Sequence, residues 1–395
     1  MRYTDVGIPQ GHLWSSPFVR WQGAISAISS LDVAEAVTKR ALGDRNFGVH
    51  EIDGVVLGIT IPQHSSFFGA PTLAARIGAS GVSGPMINQA CATAVSTLHA
   101  AAAAVATGAG VQLAVTTDRT SNGPNIVYPA PSAAGGAPVV ENVVQENFAR
   151  DPWAGTSMLA AAELVAREAG IGREEIDELV ALRYAQYEGA LADDRRFQKL
   201  YMTPIEIAGR RGTLAVAEDE GVRPVDRDKL PLLNPAAPDG VHTSASQTHP
   251  ADGTAGAVVT TVDDARARSN GDGVIEILSA GFARVAPSHM PEAPVPAALA
   301  ALKDAELDIR DVDTITTHNP FAVNDIYFAR TIGTDVSKMN NFGCSLIWGH
   351  PQAPTGMRAI AELVAELRLR GGGVGLFTGC AAGDSAAALV VRVRD

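Results

Sequence analysis

The sequence predicts an α/β fold built from two similar halves, with a loop domain inserted between them. Three observations carry that prediction. A chain of 395 residues with 46% hydrophobic content exceeds what one core usually serves, since single cores stop growing at about 250–300 residues. Strands alternate with helices in its first and last thirds, as packed α/β layers require. The last third also repeats the first. Residues 309–318 align with residues 49–58 at an offset of 260 (313 − 53), and residues 373–380 align with residues 110–117 at an offset of 263.

The elements follow in order. After an opening arm that includes Phe18-Val-Arg-Trp-Gln-Gly23, apolar residues at helical spacing predict a helix over 32–42, and Gly54-Val-Val-Leu-Gly-Ile-Thr60 predicts a strand. Turn-rich residues 78–86 approach Asn88. A long alanine-rich helix then starts beside Cys91 and stops near Gly108. A strand over 111–117 runs out of it. From Asp118 to about Thr243 the texture changes to Pro, Gly, Asn and Arg with no dominant strand pattern. Its best helices are 158–169 and 173–187, the second with Glu174, Glu175 and Asp177 in its first turn, where the macrodipole favours acids. An apolar strand over 256–261 follows. The repeat assigns residues 1–118 with 244–270 to an N-terminal half, 119–243 to a loop (lid) domain and 271–395 to a C-terminal half.

A net charge of −12 argues against nucleic acid or a membrane surface as a partner. Three cysteines (Cys91, Cys344 and Cys380) do not make a disulfide framework, and the odd count suits a reducing compartment. The opening residues hold no apolar signal core, so the expected location is cytoplasmic. The most apolar region, 100–115, is broken by Gly108, Gly110 and Gln112 and is too short to span a bilayer.

Cys91 reads in two ways. It is either a small buried apolar residue, as most free cysteines are, or a nucleophile at a helix N-terminus, where unpaired N–H groups and the dipole favour a thiolate and can hold an oxyanion. Three more polar clusters stand at strand ends or before helices, where loops carry function: His318-Asn-Pro-Phe-Ala322, Gly349-His350-Pro351 and Cys380-Ala-Ala-Gly383. His350 lies 259 residues after Cys91 (350 − 91), nearly its counterpart in the second half. Singly, each cluster also reads as ordinary interior. No cysteine or histidine pair has local zinc-ligand spacing, so no metal is expected. The serine-hydrolase, P-loop and dinucleotide-binding motifs are absent. The run Gly371-Gly-Gly-Val-Gly375 precedes a strand and reads as a helix stop.

Over nearly its whole length the chain resembles the thiolase superfamily. Asn88-x-x-Cys91-x-Thr93 resembles the nucleophile motif, with Thr93 and Ala94 where serine and glycine are usual. The stretch from Asn341 through Gly349-His350-Pro351 to Gly356 resembles the segment with the catalytic histidine, and Cys380-Ala-Ala-Gly383 the second-cysteine motif. Residues 116–124 and 240–253 track further family segments. The resemblance implies two α/β/α/β/α halves with a loop domain, assembled as a homodimer or homotetramer, with acyl-CoA and CoA as substrates and no resident cofactor. It implies that His350 deprotonates Cys91 and that Cys91 carries the acyl group. Cys380 would be the acid or base at the α-carbon. His318 would help to hold a thioester oxygen, often through a water, and the backbone amides of Cys91 and Ala382 would hold the other oxyanion. Arg223 and Thr248 fall where the family contacts CoA.

The departures are specific. His318-Asn319-Pro320-Phe321 replaces the usual Asn-Glu-Ala-Phe segment and is closer to sterol-carrier-type and archaeal thiolases, which points away from straight-chain specificity. Ala382 and Asp384 replace glycines, so Ala382 is expected in a conformation that glycine adopts more easily. His249 replaces a glycine near the expected acyl pocket and reads equally as a substrate contact or a surface residue. Two alternatives stay beside the thiolase reading. One is a ketoacyl synthase-like condensing enzyme, which would place a histidine at Cys380. The other is a non-catalytic thiolase-like subunit that depends on a partner, such as a small accessory protein.

Overall fold

The computed structural model of the chain describes residues 1–121, 123–210, 212–269 and 271–394. Asn122 of the 116–124 segment, Arg211 of the lid range, and the boundary residues Asn270 and Asp395 lie outside the described residues. Among the described residues eleven strands make the two main sheets: β1 (Gly7–Pro9), β2 (Leu13–Ser15), β3 (Gly54–Gly58), β4 (Met86–Ile87), β5 (Gln112–Arg119), β6 (Ala251–Val259), β7 (Val274–Arg284), β8 (Thr314–His318), β9 (Gly373–Ala381) and β10 (Ser385–Arg394), with the short Val19–Arg20 pairing beside β6. The first sheet runs β2-β6-β5-β3-β4 and the second β1-β7-β10-β9-β8. β1, although near the start of the chain, pairs with β7 in the second sheet.

The internal repeat extends to individual hydrogen bonds. Gly54 of β3 stands opposite Gln112 of β5 in a parallel pair, and Thr314 of β8 stands opposite Gly375 of β9 in another. The counterparts differ by the same 260 (314 − 54) and 263 (375 − 112) that align the two sequences. Just before β3 the Asp53 carboxylate accepts the N–H of Val111 at 2.8 Å, and before β8 Asp313 accepts that of Val374 at 2.7 Å. A Cβ on Gly110 would lie 2.0 Å from Asp53 Oδ2, and one on Gly373 would lie 2.5 Å from Asp313 Oδ2. Both glycines are needed because each aspartate occupies that space.

Two helices, Thr93–Ala106 and Ala353–Leu369, lie back to back between the sheets. Ala94, Val95, Leu98 and Ala101 from the first meet Ile360, Leu363 and Leu367 from the second, together with the inward-facing Val56, Ala114, Phe377 and Leu389. The alanine content of the first helix follows from this confinement, because a layer enclosed on both sides leaves little radius for side chains. At the closest approach a Cβ on Gly356 would be 3.0 Å from that of Ala94. The strands are apolar on both faces: Val55 and Leu57 join Leu113 and Val115 beneath Ser30–Asp44 and Gly69–Ile77, while Val56 faces inward. Across the molecule Pro294–Asp304 and Ala322–Ile332 cover Ile315, Leu376 and Val390. These are the five layers.

Between β5 and β6 the predicted helices form as Met158–Glu168 and Arg173–Arg195, the latter leaving helical geometry at Ala192, Asp193 and Asp194. The region also contains two hairpins that the sequence does not announce, Asn125–Tyr128 with Val139–Asn142 and Ile205–Gly209 with Gly212–Val216. Their residues are largely exposed, so no alternating apolar face marks them. Two buried ion pairs anchor this region to the core: Arg183 of the Arg173–Arg195 helix meets Asp325 of Ala322–Ile332, and Arg358 of the second central helix donates to both Asp219 oxygens at 2.6 and 2.8 Å, with the guanidinium 4.8 Å from the Phe18 ring and 4.4 Å from that of Trp348. The glycine run ends the second central helix as expected, with Gly371, Gly372 and Gly373 all at positive φ. Among the described residues no helix is long and apolar enough to cross a membrane.

Gly110→Ala would push the Asp53 carboxylate off the Val111 amide. A loss of about 1–3 kcal/mol is expected, the cost of a buried hydrogen bond left unmade, measured by urea denaturation of the variant against the parent.

Candidate active site

Both central helices begin at one cavity of about 270 Å³, which Cys91, Gln247, Thr248, His350, Gln352 and Ala382 line together with an apolar wall of Phe148, Met158, Leu159, Met290 and Phe321. Cys91 stands two residues before the first central helix, on a turn that places Ala90 at φ 47°. The two polar residues of its motif brace that turn. Asn88 Oδ1 accepts the Ala90 N–H at 3.0 Å, while Thr93 Oγ1 accepts the Gln89 N–H at 2.8 Å and donates to the Ala90 carbonyl at 2.7 Å.

His350 enters from the second half through Gly349, whose φ of 96° and crowding by His249 and Ala251 leave no room for a side chain. Its Nε2 lies 3.1 Å from Cys91 Sγ, and its Nδ1 is 2.6 Å from Thr355 Oγ1. Desolvation by burial, with the neighbouring His318 adding to it, holds the imidazole well below its usual pKa and therefore neutral. Burial pushes the Cys91 thiol up to about 12, although part of the residue opens to the cavity; the backbone N–H groups of Ala382 and of Cys91 itself act in the opposite sense. The resting pair is thus a thiol beside a neutral imidazole. The helix-terminus argument from sequence predicted a depressed thiol, and desolvation outweighs it here. The N–H groups of Cys91 and Ala382 nevertheless bear on the sulfur as an oxyanion site requires.

His318 stacks on His350 with ring centroids 4.1 Å apart. A fully buried network orients it. Asn319 donates to Asp325 at 2.6 Å, so its oxygen faces Ser345, whose hydroxyl donates to that oxygen at 3.0 Å and accepts the Asn319 N–H at 3.1 Å. This arrangement assigns the proton of His318 to Nδ1, which donates to Ser345 Oγ at 2.9 Å, and leaves the Nε2 lone pair without a protein partner among the described residues. Arg183 donates to Asp325 at 2.9 Å through Nε, and both side chains are fully buried. Burial lowers His318 to about 3, so it too is neutral.

Cys380, fully buried on β9, accepts from Asn324 Nδ2 at 3.3 Å, and burial holds its thiol well above the usual range. The strained residue after it is Asp384 at φ 54°, beside Gly383 at φ 81°. Ala382 is not among the residues with positive φ, which corrects the expectation from sequence; the carboxylate at Asp384 accepts the Ser288 N–H and compensates locally. Arg223, exposed, and Thr248 line an adjoining cavity of about 400 Å³, which meets the first at Gln247 and Thr248. His249 faces this second cavity, and its backbone oxygen accepts the His350 N–H at 2.9 Å.

The structure therefore gathers Cys91, His318 and His350, whose ligand-type atoms lie within 4.8 Å of one another. They come from three distant segments, so chain spacing alone does not reveal the cluster. Residues that the sequence did not single out complete it: Ser345, Asn324 and Gln352, together with Asp118. The Asp118 carboxylate accepts the N–H groups of Thr60, Ile61 and Ala353 at 2.8–3.0 Å, joining the first half to the start of the second central helix. Its one signal in the sequence is an acid at the end of a strand.

A thiol, a neutral imidazole in contact with it and converging backbone N–H groups make a centre for covalent acyl transfer. The thiolase N-terminal domain family matches residues 14–263 and the thiolase C-terminal domain family matches residues 273–393. The chain belongs to the thiolase family. It is 28% identical to human mitochondrial 3-ketoacyl-CoA thiolase over 386 residues, covering 95% of this chain and 96% of that protein. It is 26% identical to an acetyl-CoA acetyltransferase of Synechocystis sp., covering 92% and 94%. Among solved structures, human mitochondrial 3-ketoacyl-CoA thiolase in complex with CoA superposes with a TM-score of 0.90 at 25% identity over the whole of both chains. The acetyl-CoA acetyltransferase of Bacillus anthracis does so with a TM-score of 0.91 at 25% identity over 99% of each.

Arg183→Met strands the Asp325 carboxylate in the interior. A loss of about 3–5 kcal/mol in denaturant unfolding is expected, with part of it regained in the double variant Arg183→Met/Asp325→Asn.

Proposed function

We propose that Cys91 carries the acyl group when the chain cleaves a 3-oxoacyl-CoA with CoA, or runs the Claisen condensation in reverse. The chain is, as a thiolase, an acyl-CoA C-acyltransferase with CoA as co-substrate. The observation that carries the residue assignment is the 3.1 Å contact between Cys91 Sγ and His350 Nε2, with the far nitrogen of that ring held by Thr355. In the cleavage direction the thiol proton passes to His350 Nε2 and the sulfur attacks the C3 carbonyl. The N–H groups of Cys91 and Ala382 receive the oxyanion. The C2–C3 bond breaks, and C2 takes a proton from Cys380. Its thiolate is supported by the Asn324 donor. His318 accepts from a water at Nε2, and that water donates to the thioester oxygen. CoA then enters along Arg223 and Thr248, gives its thiol proton to the Cys380 thiolate and attacks the acyl carbon; the bond from that carbon to Cys91 Sγ breaks, the new acyl-CoA leaves, and the sulfur takes back its proton from His350 Nε2.

The apolar wall around Phe148, Met158, Leu159 and Phe321 suits the acyl groups of lipid or aromatic acid metabolism. The division into residues 1–118 with 244–270, 119–243 and 271–395 belongs to the same reading. So does a cytoplasmic homodimer or homotetramer. Exposed Phe67, Phe68 and Met86 beside the edge strand β4, and Val127, Tyr128, Val139 and Val140 on the first lid hairpin, support self-association.

Mass spectrometry after incubation with acyl-CoA tests the assignment. The parent should gain one acyl group on Cys91, Cys91→Ser should gain none, and Cys380→Ser should acylate but fail to condense. An adduct on any other residue overturns it. Because His350 is held below its usual pKa, its basic form persists as pH falls through the ordinary histidine range. Single-turnover acylation should accordingly stay flat between about pH 6 and 8, and a midpoint near 6.5 would contradict this placement of the base.

A further inference from the structure

One side chain at the reacting sulfur has no task in this mechanism. Gln352 is 3% exposed, lines the acyl cavity, and places Oε1 3.2 Å from Cys91 Sγ, on the same sulfur that His350 contacts. Its backbone is strained, at φ 43° and ψ −98°, outside the wells that L-residues favour. The carboxamide also bears on His350, and its amide nitrogen is not among the sealed, unpartnered polar atoms of the interior. A carboxamide carries a donor and an acceptor on nearly the same frame, so either end can be turned to a nucleophile beside it.

We propose that Gln352 is a catalytic residue whose carboxamide serves the Cys91 sulfur in both of its protonation states; this rests on Cys91 being the acylated nucleophile. While the sulfur is a thiol, Gln352 Oε1 accepts its proton and competes with His350 for it. When that proton passes to His350 Nε2, the oxygen would face a negative sulfur, and the carboxamide turns to present N–H instead. The turn needs no new space, since the two ends of a carboxamide are nearly the same size. A hydrogen bond to a charged acceptor is about twice as strong as a neutral one. Gln352 therefore offsets part of the cost of making a thiolate in an apolar pocket.

The groups that bear on the sulfur from every side are His350 and His318 from the second half, Asp118, which opposes ionisation, Cys380, and the N–H groups of Ala382 and Cys91. Gln352 presents its carboxamide oxygen to Sγ at 3.2 Å, and a half-turn about its last bond brings the N–H groups to the same place.

The test is the rate of iodoacetamide alkylation of Cys91 against pH, read by mass spectrometry on the full chain, beside single-turnover acylation. Gln352→Met keeps the length and removes both polar ends. Its alkylation midpoint should rise by about one pH unit and its acylation should slow by about tenfold, with KM for CoA unchanged. Gln352→Glu keeps shape and polarity but sets a negative charge beside the sulfur, and should raise the midpoint further; it serves alone if the methionine variant does not fold. A folded variant with the parent's midpoint and acylation rate overturns the proposal. So does a variant that loses only thermal stability, which is what a purely structural role would produce. If the parent forms no adduct on Cys91 with any acyl-CoA, the acyl-enzyme reading fails first, and the alkylation comparison still judges Gln352.

Discussion

The close packing of the two central helices is the constraint on which the site depends. Cys91 and His350 are 259 residues apart (350 − 91), yet their side chains meet because each stands just before a helix, and those helices pass within contact at Ala94 and Gly356. Small residues at that crossing set the separation of the helices, and the separation sets the 3.1 Å between sulfur and nitrogen. The two enclosing sheets hold the helices from both sides, and the paired aspartate clamps at Asp53 and Asp313 fix the strand ends from which each half builds. The geometry at the sulfur is therefore a property of the whole duplicated core.

Burial decides the electrostatics of the centre. It favours the neutral form of every group there, raising Cys91 and Cys380 and lowering His318 and His350. The result is a neutral thiol in contact with a neutral imidazole, with backbone N–H groups converging on the sulfur. The two fully buried arginines are paired instead. Arg358 with Asp219 joins the region between β5 and β6 to the second central helix, and Arg183 with Asp325 supports the network behind His318. None of these four residues lines the cavity at Cys91.

Much of this architecture was legible in the sequence. The offsets of 260 and 263 reappear as strand register, and the helices at Cys91, 158–168 and 173–187 form where periodicity and end signals place them. What periodicity missed has physical causes. The lid hairpins carry no buried face and so no alternation. Strain expected at Ala382 is found at Asp384, because a motif names the unusual residues without giving their dihedral angles.

By itself, the sequence determined the duplicated α/β layers and nominated Cys91, His318, His350 and Cys380 as candidates, because repeats and short motifs are written in residue order. Only the tertiary structure decided which groups share the sulfur, and in what protonation state. Gln352, Ser345, Asn324 and Asp118 acquire meaning through contacts across 56 to 261 residues of chain or through a buried network, and neither leaves a local pattern. The helix terminus argued for a thiolate at Cys91; the folded interior makes it a thiol, since desolvation depends on everything packed around an atom and nothing in the order of neighbours records that.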